Sequence, residues 1–161
     1  MLEIRKANPS DNDAIWQIIK EVIATGDTYA FNPGSSKEKM LAYWCAPEAH
    51  TYIALQDGII AGTFVMKDNQ PALGSHIANS GYMVSPLAAG KGIGKAMAIF
   101  SLEEAKQIGY KAMQFNFVIK SNERAIKLWQ QLGFVIIGEV PEAFNHSVQG
   151  LTNVYIMYRK L

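Results

Sequence analysis

The chain is 161 residues long, 49% hydrophobic and 18% charged, and fifteen Lys and Arg against fourteen Asp and Glu leave a formal net charge of +1. That length accommodates one domain with a sizeable core, residues 1–161 taken as a unit, and the balanced charge excludes a blanket attraction to polyanions, so neither nucleic acid nor a membrane surface is expected as a partner. Cys45 is the single cysteine, which excludes an internal disulfide and a CxxC zinc site; with no basic-then-apolar leader in "MLEIRKANPSD" and no run near the roughly 18 apolar residues of a membrane span, a cytoplasmic location is expected.

"LEIRKA" reads as a short strand. In "NPSDNDAIWQIIKEVI", Ser10 stands as an N-cap with Asp13 three residues on, and Ile15, Ile18, Ile19, Val22 and Ile23 recur at helical spacing, which predicts an amphipathic helix. The loop "TGDTYAFNPGSS" carries Tyr29 and Phe31, which either line a pocket or, as the favoured reading, pack under the loop, and "KEKMLAYWCA" predicts a second helix ending before Pro47. "HTYIALQDGIIAGTFVMKD" predicts a hairpin, because Asp57-Gly58 supplies the positive φ angles of a tight turn. In "HIANSGYMVSP" the strand pattern is broken by Asn79, Ser80 and Gly81, which predicts a bulge or a close backbone approach. A helix then runs to about Ile108 and stops at Gly109. "KAMQFNFVI" predicts a strand, and "SNERAIKLWQQLGF" a helix with Ala125, Leu128, Trp129 and Leu132 on one face. "FVIIGEV" and "NVYIMYRKL" close the chain as strands. This order is α/β: a mixed central sheet flanked by helices, antiparallel in front and strand-helix-strand behind.

The stretch "SPLAAGKGIGKAM" places three glycines and two lysines between Gly90 and Lys95 at the start of a helix. A Walker A loop requires G-x-x-x-x-G-K-[ST], but here Ala89 stands at the first glycine and Ala96 at the metal-binding hydroxyl. The dinucleotide pattern G-x-G-x-x-G fails as well, since Gly90 and Gly92 lead to Lys95, and Gly92 and Gly94 lead to Met97. What remains is a set of backbone amides at a helix N-terminus, suited to a pyrophosphate, or a turn that only starts a helix.

With "NERAIKLWQQLGF" about thirty residues further on, the pair resembles the two coenzyme A segments of the GCN5-related N-acetyltransferase (GNAT) family, [QR]-x-x-G-x-[GA] and N-x-x-A-x-x-[LF]-[YF]-x-x-x-G-F, and the likeness spans nearly the whole chain. The resemblance implies acetyl-coenzyme A as co-substrate, no metal, and a sheet whose strands splay at the acetyl-coenzyme A site. It implies that the amides of Gly90, Lys91, Gly92, Ile93, Gly94 and Lys95 hold the pyrophosphate. Backbone at Met83 and Val84 would pair with the pantetheine arm, and Asn122 would hydrogen-bond that arm. Two positions depart from the pattern. Ala89 replaces the usual Gln or Arg, leaving Lys91 and Lys95 as the nearest cations, and Trp129 stands where many members carry a tyrosine thought to protonate the leaving thiolate. An indole N–H is too weak an acid for that step, so water, another tyrosine such as Tyr82, or proton transfer within the tetrahedral intermediate is the alternative.

No Asp or Glu lies in "SHIANSGYMV" or "MQFNFVI", the strands between which the family seats its acceptor. Met113, Phe115, Phe117 and Ile119 alternate onto one face, and Gln114 and Asn116 onto the other, where a buried asparagine needs a partner. Asn79, Asn116 and Asn122 resemble the asparagines of the family members that acetylate azetidine-2-carboxylate and related proline analogues. In that resemblance Asn79 and Asn116 fix the acceptor's carboxylate and amine. Asn116 satisfying a backbone group where the sheet splays is the plain alternative. The expected function is therefore acetyl transfer to a small-molecule amine. The alternatives are a protein or peptide N-terminal acetyltransferase, or a domain that binds coenzyme A as a sensor; a homodimer stands open beside a monomer. His50, His76 and His146 show no metal spacing, and Glu103 and Glu104 read as a solvated helix surface.

Overall fold

The computed structural model describes all 161 residues, Met1–Leu161. Its strands are β1 (Leu2–Lys6), β2 (His50–Gln56), β3 (Ile59–Asp68), β4 (Ile77–Val84), β5 (Ala112–Ile119), β6 (Val135–His146) and β7 (Gly150–Lys160); its helices are α1 (Asn12–Ile23), α2 (Lys37–Trp44), α3 (Ile93–Ile108) and α4 (Glu123–Gln131). The strands form one mixed sheet in the order β1-β2-β3-β4-β5-β7-β6, flanked by the helices as expected.

The apolar stripe of α1 places Ile15, Ile18, Ile19 and Ile23 against Ile53, Val65 and Met83 on one face of the sheet, with Met40 and Trp44 of α2. Each such side chain contributes about 1.5–3 kcal/mol on burial. On the opposite face Ile93 and Met97 of α3 meet Tyr52, Ala54 and Phe64. Further along, Leu102 and Ala105 join Met66, Ala78 and Met113, with Ile126 and Trp129 of α4 packed alongside. The start of α1 differs from expectation. A 3-10 turn, Pro9–Asp11, precedes it, and Asn8 rather than Ser10 caps that turn, accepting from the Ser10 amide at 3.0 Å while the Asp11 carboxylate accepts from the Asn8 amide at 2.8 Å; α1 itself has Asp11 at its N-cap, without a side-chain cap bond. Pro9 fixes the first φ of that turn, which moves the side-chain cap two residues upstream.

The Asp57-Gly58 turn is as expected, with φ of 52° and 82°. The β3–β4 ladder, in contrast, runs unbroken from Gly62↔Val84 to Asp68↔Ala78, so Asn79, Ser80 and Gly81 make no bulge. The interruption lies on the other edge of β4. Its parallel pairing to β5 stops after Ile77↔Ala112 and Ala78↔Met113, and β5 instead follows β7 through a bulge between Phe115 and Val118. A wedge-shaped gap opens between β4 and β5 from Asn79 onward. The same bulge overturns the expected face pattern: Val118 enters the core beside Phe115, and Phe117 is turned out, 40% exposed.

Candidate active site

Strand geometry decides which backbone groups face the gap. The Ser85 amide donates to Ala61 O at 2.8 Å and the Asn69 amide to Ile77 O at 2.8 Å, so odd-numbered residues of β4 turn their backbone toward β3. Tyr82 and Val84 therefore present theirs to the gap. Of the pair Met83 and Val84, Met83 turns its backbone to the β3 ladder and Val84 turns its own to the gap, while both residues border the cavity there. At Tyr82 the place of the missing strand is taken by the Tyr29 phenol, which accepts from the Tyr82 amide at 2.9 Å and donates to the Tyr82 carbonyl. Burial pushes the Tyr29 phenol far above its ordinary pKa, so it stays neutral.

Around the gap lies a cavity of about 660 Å³, walled by Tyr29, Phe31, Tyr43, Phe115, Phe117 and Trp129 among others. Tyr29 and Phe31, for which the sequence favours packing over pocket lining, are thus part of its wall. Asn79 and Asn116 both border it. Asn79 Nδ2 donates to Gln114 O at 3.0 Å, bridging the strands just where backbone pairing ends. Asn116 is exposed and not buried as expected, because the bulge rotates it outward. Its amide accepts from Gln114 Nε2 at 2.9 Å and donates to Asn69 Oδ1 at 2.7 Å, so it satisfies side chains and no backbone group. No carboxylate, imidazole or lysine lines this cavity, and Arg124 is its single charge.

Tyr82 is placed poorly for proton donation. Ser101 spends its hydroxyl proton on Ala98 O at 2.8 Å, so the contact of 2.6 Å between Tyr82 and Ser101 has Tyr82 as donor. Burial is the chief cause that leaves the Tyr82 phenol pushed up to about 12. Its ring stacks among Phe64, Phe115 and Trp129, the last at a centroid distance of 5.1 Å.

A second cavity of about 570 Å³ adjoins the first, sharing Val84, Asn122, Arg124 and Ala125, and is floored by the glycine turn. Gly90 and Gly92 adopt φ of 78° and 77°, and a Cβ at either would project into open space with no atom within 4 Å. The first bond of α3 runs from the Ala96 amide to Gly92 O at 3.0 Å, so the amides of Ile93, Gly94 and Lys95 have no partner in the helix. This is a cradle with vacant donors, suited to a pyrophosphate. Lys95 lines it, but Lys91 does not; its charge lies near Asp57 instead. Asn122 caps α4 by accepting from the Ala125 amide at 3.3 Å, which leaves its Nδ2 as the half that can face a ligand. No three His, Cys, Asp or Glu side chains gather to hold a metal.

Residues 16–134 match the acetyltransferase (GNAT) family model. The chain belongs to the GNAT family. Its domain is of the acetyl-coenzyme A-dependent N-acetyltransferase type. A GCN5-related N-acetyltransferase from Kribbella flavida is 37% identical with a TM-score of 0.95, over 99% of this chain and 98% of that one. The acetyltransferase yncA from Salmonella typhimurium, solved with its cofactor acetyl-CoA, shares the fold at 20% identity and a TM-score of 0.88, over 100% of this chain and 94% of that one. The N-acetyltransferase aca1 of Schizosaccharomyces pombe is 40% identical over 98 residues, 60% of this chain and 47% of that protein. The chain spans less than half the length of the curated relatives it matches. In the GNAT framework, the residues to which the sequence gives no site role are Tyr43, which reaches the gap from α2 alongside Tyr29 and Phe31, and Arg124, which stands between the two cavities. The Asn122-to-Phe134 motif contains Arg124 at a position its pattern leaves free, which was the one available signal.

Proposed function

We propose that this GNAT domain transfers acetyl from acetyl-coenzyme A to a small-molecule amine by direct attack on the thioester, and that the acceptor is a small amino acid of the azetidine-2-carboxylate or proline-analogue kind. The observation that carries the reading is the cavity at the β4–β5 gap: about 660 Å³, walled by aromatic rings, offering asparagine amides and no carboxylate. Such a wall suits a compact acceptor with an apolar ring and a few polar atoms.

In this reading the amides of Gly92 to Lys95 hold the pyrophosphate, and the gap-facing backbone of Val84 with Asn122 Nδ2 holds the pantetheine arm. Asn79 and Asn116 fix the acceptor. The attacking nitrogen forms a C–N bond as the C–S bond breaks, and positioning in the gap supplies the rate gain. With no carboxylate or imidazole on the wall, the amine arrives neutral, having left its proton to water. The thiolate takes its proton from water or from the nitrogen that has just attacked. Tyr82, about 12 against roughly 8.5 for a thiol, is too weak an acid to give one up.

Thiol release measured with azetidine-2-carboxylate, proline, a simple primary amine and a short peptide tests this. The expected order puts azetidine-2-carboxylate first in kcat/KM. Turnover confined to the peptide would replace the substrate class, and coenzyme binding without turnover of any acceptor would leave only a sensor.

A further inference from the structure

The glycine turn lacks the side chain with which its family motif usually reaches a phosphate, since Ala89 holds that position. Ala89 lines the second cavity, and directly across from the turn the wall is made by α4, which contributes Arg124, Lys127, Leu128 and Gln131. The lining carries three cations, Lys95, Arg124 and Lys127, and no Asp or Glu. Arg124 makes no ion pair within the chain, in contrast to Arg5, which is held by Asp11 at 2.9 Å. It is also the one charged residue bordering both cavities, at the point where a ligand seated on the α3 amides would pass into the gap.

We propose that Arg124 supplies from α4 the guanidinium that Ala89 does not supply from the turn, and that it pairs with the pyrophosphate of coenzyme A from the side opposite the α3 amides. The inference rests on the acetyl-coenzyme A reading above. It explains how this chain dispenses with the Gln or Arg of the first motif: the cation is moved to the facing wall. A guanidinium suits the place because its planar fork binds two phosphate oxygens at once, which a lysine cannot do. Lys127, one turn further along the helix, adds a second positive charge on the same side.

The test is calorimetric, with acceptor kinetics measured alongside. Coenzyme A and 3′-dephospho-coenzyme A are titrated into the wild-type chain, Arg124→Gln, Arg124→Lys and the double variant Arg124→Gln with Ala89→Arg, with thermal melting to confirm that each is folded. Arg124 is exposed, so its replacement leaves the core untouched. The expected result is a weakening of about tenfold for Arg124→Gln with both ligands, since a charge-assisted pair on a partly solvated wall is worth on the order of that factor. Arg124→Lys should fall between, and Ala89→Arg should recover most of what Arg124→Gln lost.

Equal affinity of Arg124→Gln and wild type for coenzyme A overturns the proposal. So does a loss that vanishes with the 3′-dephospho ligand, which would move the contact to the 3′-phosphate. An increase confined to the acceptor's KM, with coenzyme affinity unchanged, overturns it in favour of an acceptor carboxylate. No recovery in the double variant refutes the exchange between positions 89 and 124. Failure of the wild-type chain to bind coenzyme A at all brings down the acetyltransferase reading and this inference with it, and is distinguishable from the others because it precedes any substitution.

Discussion

The coenzyme groove and the acceptor cavity share a wall at Val84, Asn122, Arg124 and Ala125, yet they are built from different materials. The groove is floored by backbone: two glycines at positive φ and the unpaired amides of one helix start, all within six consecutive residues from Gly90 to Lys95. The cavity is built from side chains gathered from α1, the loop after it, α2, β4, β5 and α4. Backbone cannot be changed without changing the turn itself, so the groove tolerates little. Side chains can be exchanged one at a time, so in the proposed reading the cavity is where substrate choice is set and where single substitutions have graded effects.

The largest expected effect is on the groove side. Gly92→Asp places a Cβ and a carboxylate where the cradle is open, at a φ that disfavours any L side chain by roughly 1–2 kcal/mol, and sets a negative charge against phosphate. Nothing lies within 4 Å of that Cβ, so the fold should survive with a modest drop in melting temperature. Coenzyme A affinity should fall by about a hundredfold or more, the joint effect of like-charge repulsion and lost amide contacts. An unchanged calorimetric Kd in the folded variant would remove the groove from the argument.

The same contrast governs what could be read from the sequence. The turn and the α4 motif are contiguous, so the letters that form them lie together, and the helix stops at Gly109 and Gly133 and the Asp57-Gly58 hairpin are equally local. The gap between the strands of Asn79 and Asn116 follows from the family resemblance and lies where that places it, whereas the broken pattern at Asn79–Gly81 points to a bulge that β4 does not have in its ladder to β3. The β3 ladder tolerates those residues, and the loss of pairing occurs at β5, whose bulge at Asn116–Phe117 leaves no mark in an alternating pattern. That one extra residue reverses which side chains face inward, which is why Phe117 and Asn116 were assigned to the wrong surroundings. For Tyr29 and Phe31 the sequence offers pocket lining only as the less favoured option, because a loop's composition says nothing about which strand it leans on. Arg124 lines the groove and Lys91 does not, because proximity in sequence to the glycines is not proximity across the groove.

A smaller effect is expected from the cavity. Each of Asn79→Ala and Asn116→Ala should lower kcat/KM for the amine about ten- to a hundredfold, corresponding to roughly 1.5–3 kcal/mol for one hydrogen bond in the transition state, with the KM for acetyl-coenzyme A nearly unchanged. The two should differ in stability. Asn79 bridges β4 to Gln114 O, so its truncation leaves a strand carbonyl unpaired and lowers the melting temperature, whereas exposed Asn116 is bonded only to other side-chain amides. Wild-type kinetics for both variants on azetidine-2-carboxylate, proline and a primary amine would show that the asparagines merely hold the splayed sheet. A raised acetyl-coenzyme A KM would instead move them to the groove side of the comparison.

The least effect of all is expected from pH acting on the enzyme itself. No carboxylate, imidazole or lysine borders the cavity, and the two part-buried phenols Tyr82 and Tyr29 are shifted away from the assay range, Tyr82 pushed up to about 12 and Tyr29 further, in both cases chiefly by loss of solvent. For a group whose pKa is raised on folding, the stability it contributes is fully present below the unfolded value, near 10 for a phenol. It is lost as pH rises from there toward the folded value, because the unfolded chain releases a proton that the native one keeps. Between pH 6.5 and 9.5 neither phenol changes charge and neither affects stability. The logarithm of kcat/KM should therefore climb with unit slope to the acceptor's own pKa and then level, so that the plateau moves when a more weakly basic amine is substituted. Trp129→Phe should leave that shape intact, since the indole cannot give up its proton in this range. A plateau near pH 6 common to every acceptor would require an enzyme base that the cavity wall does not contain.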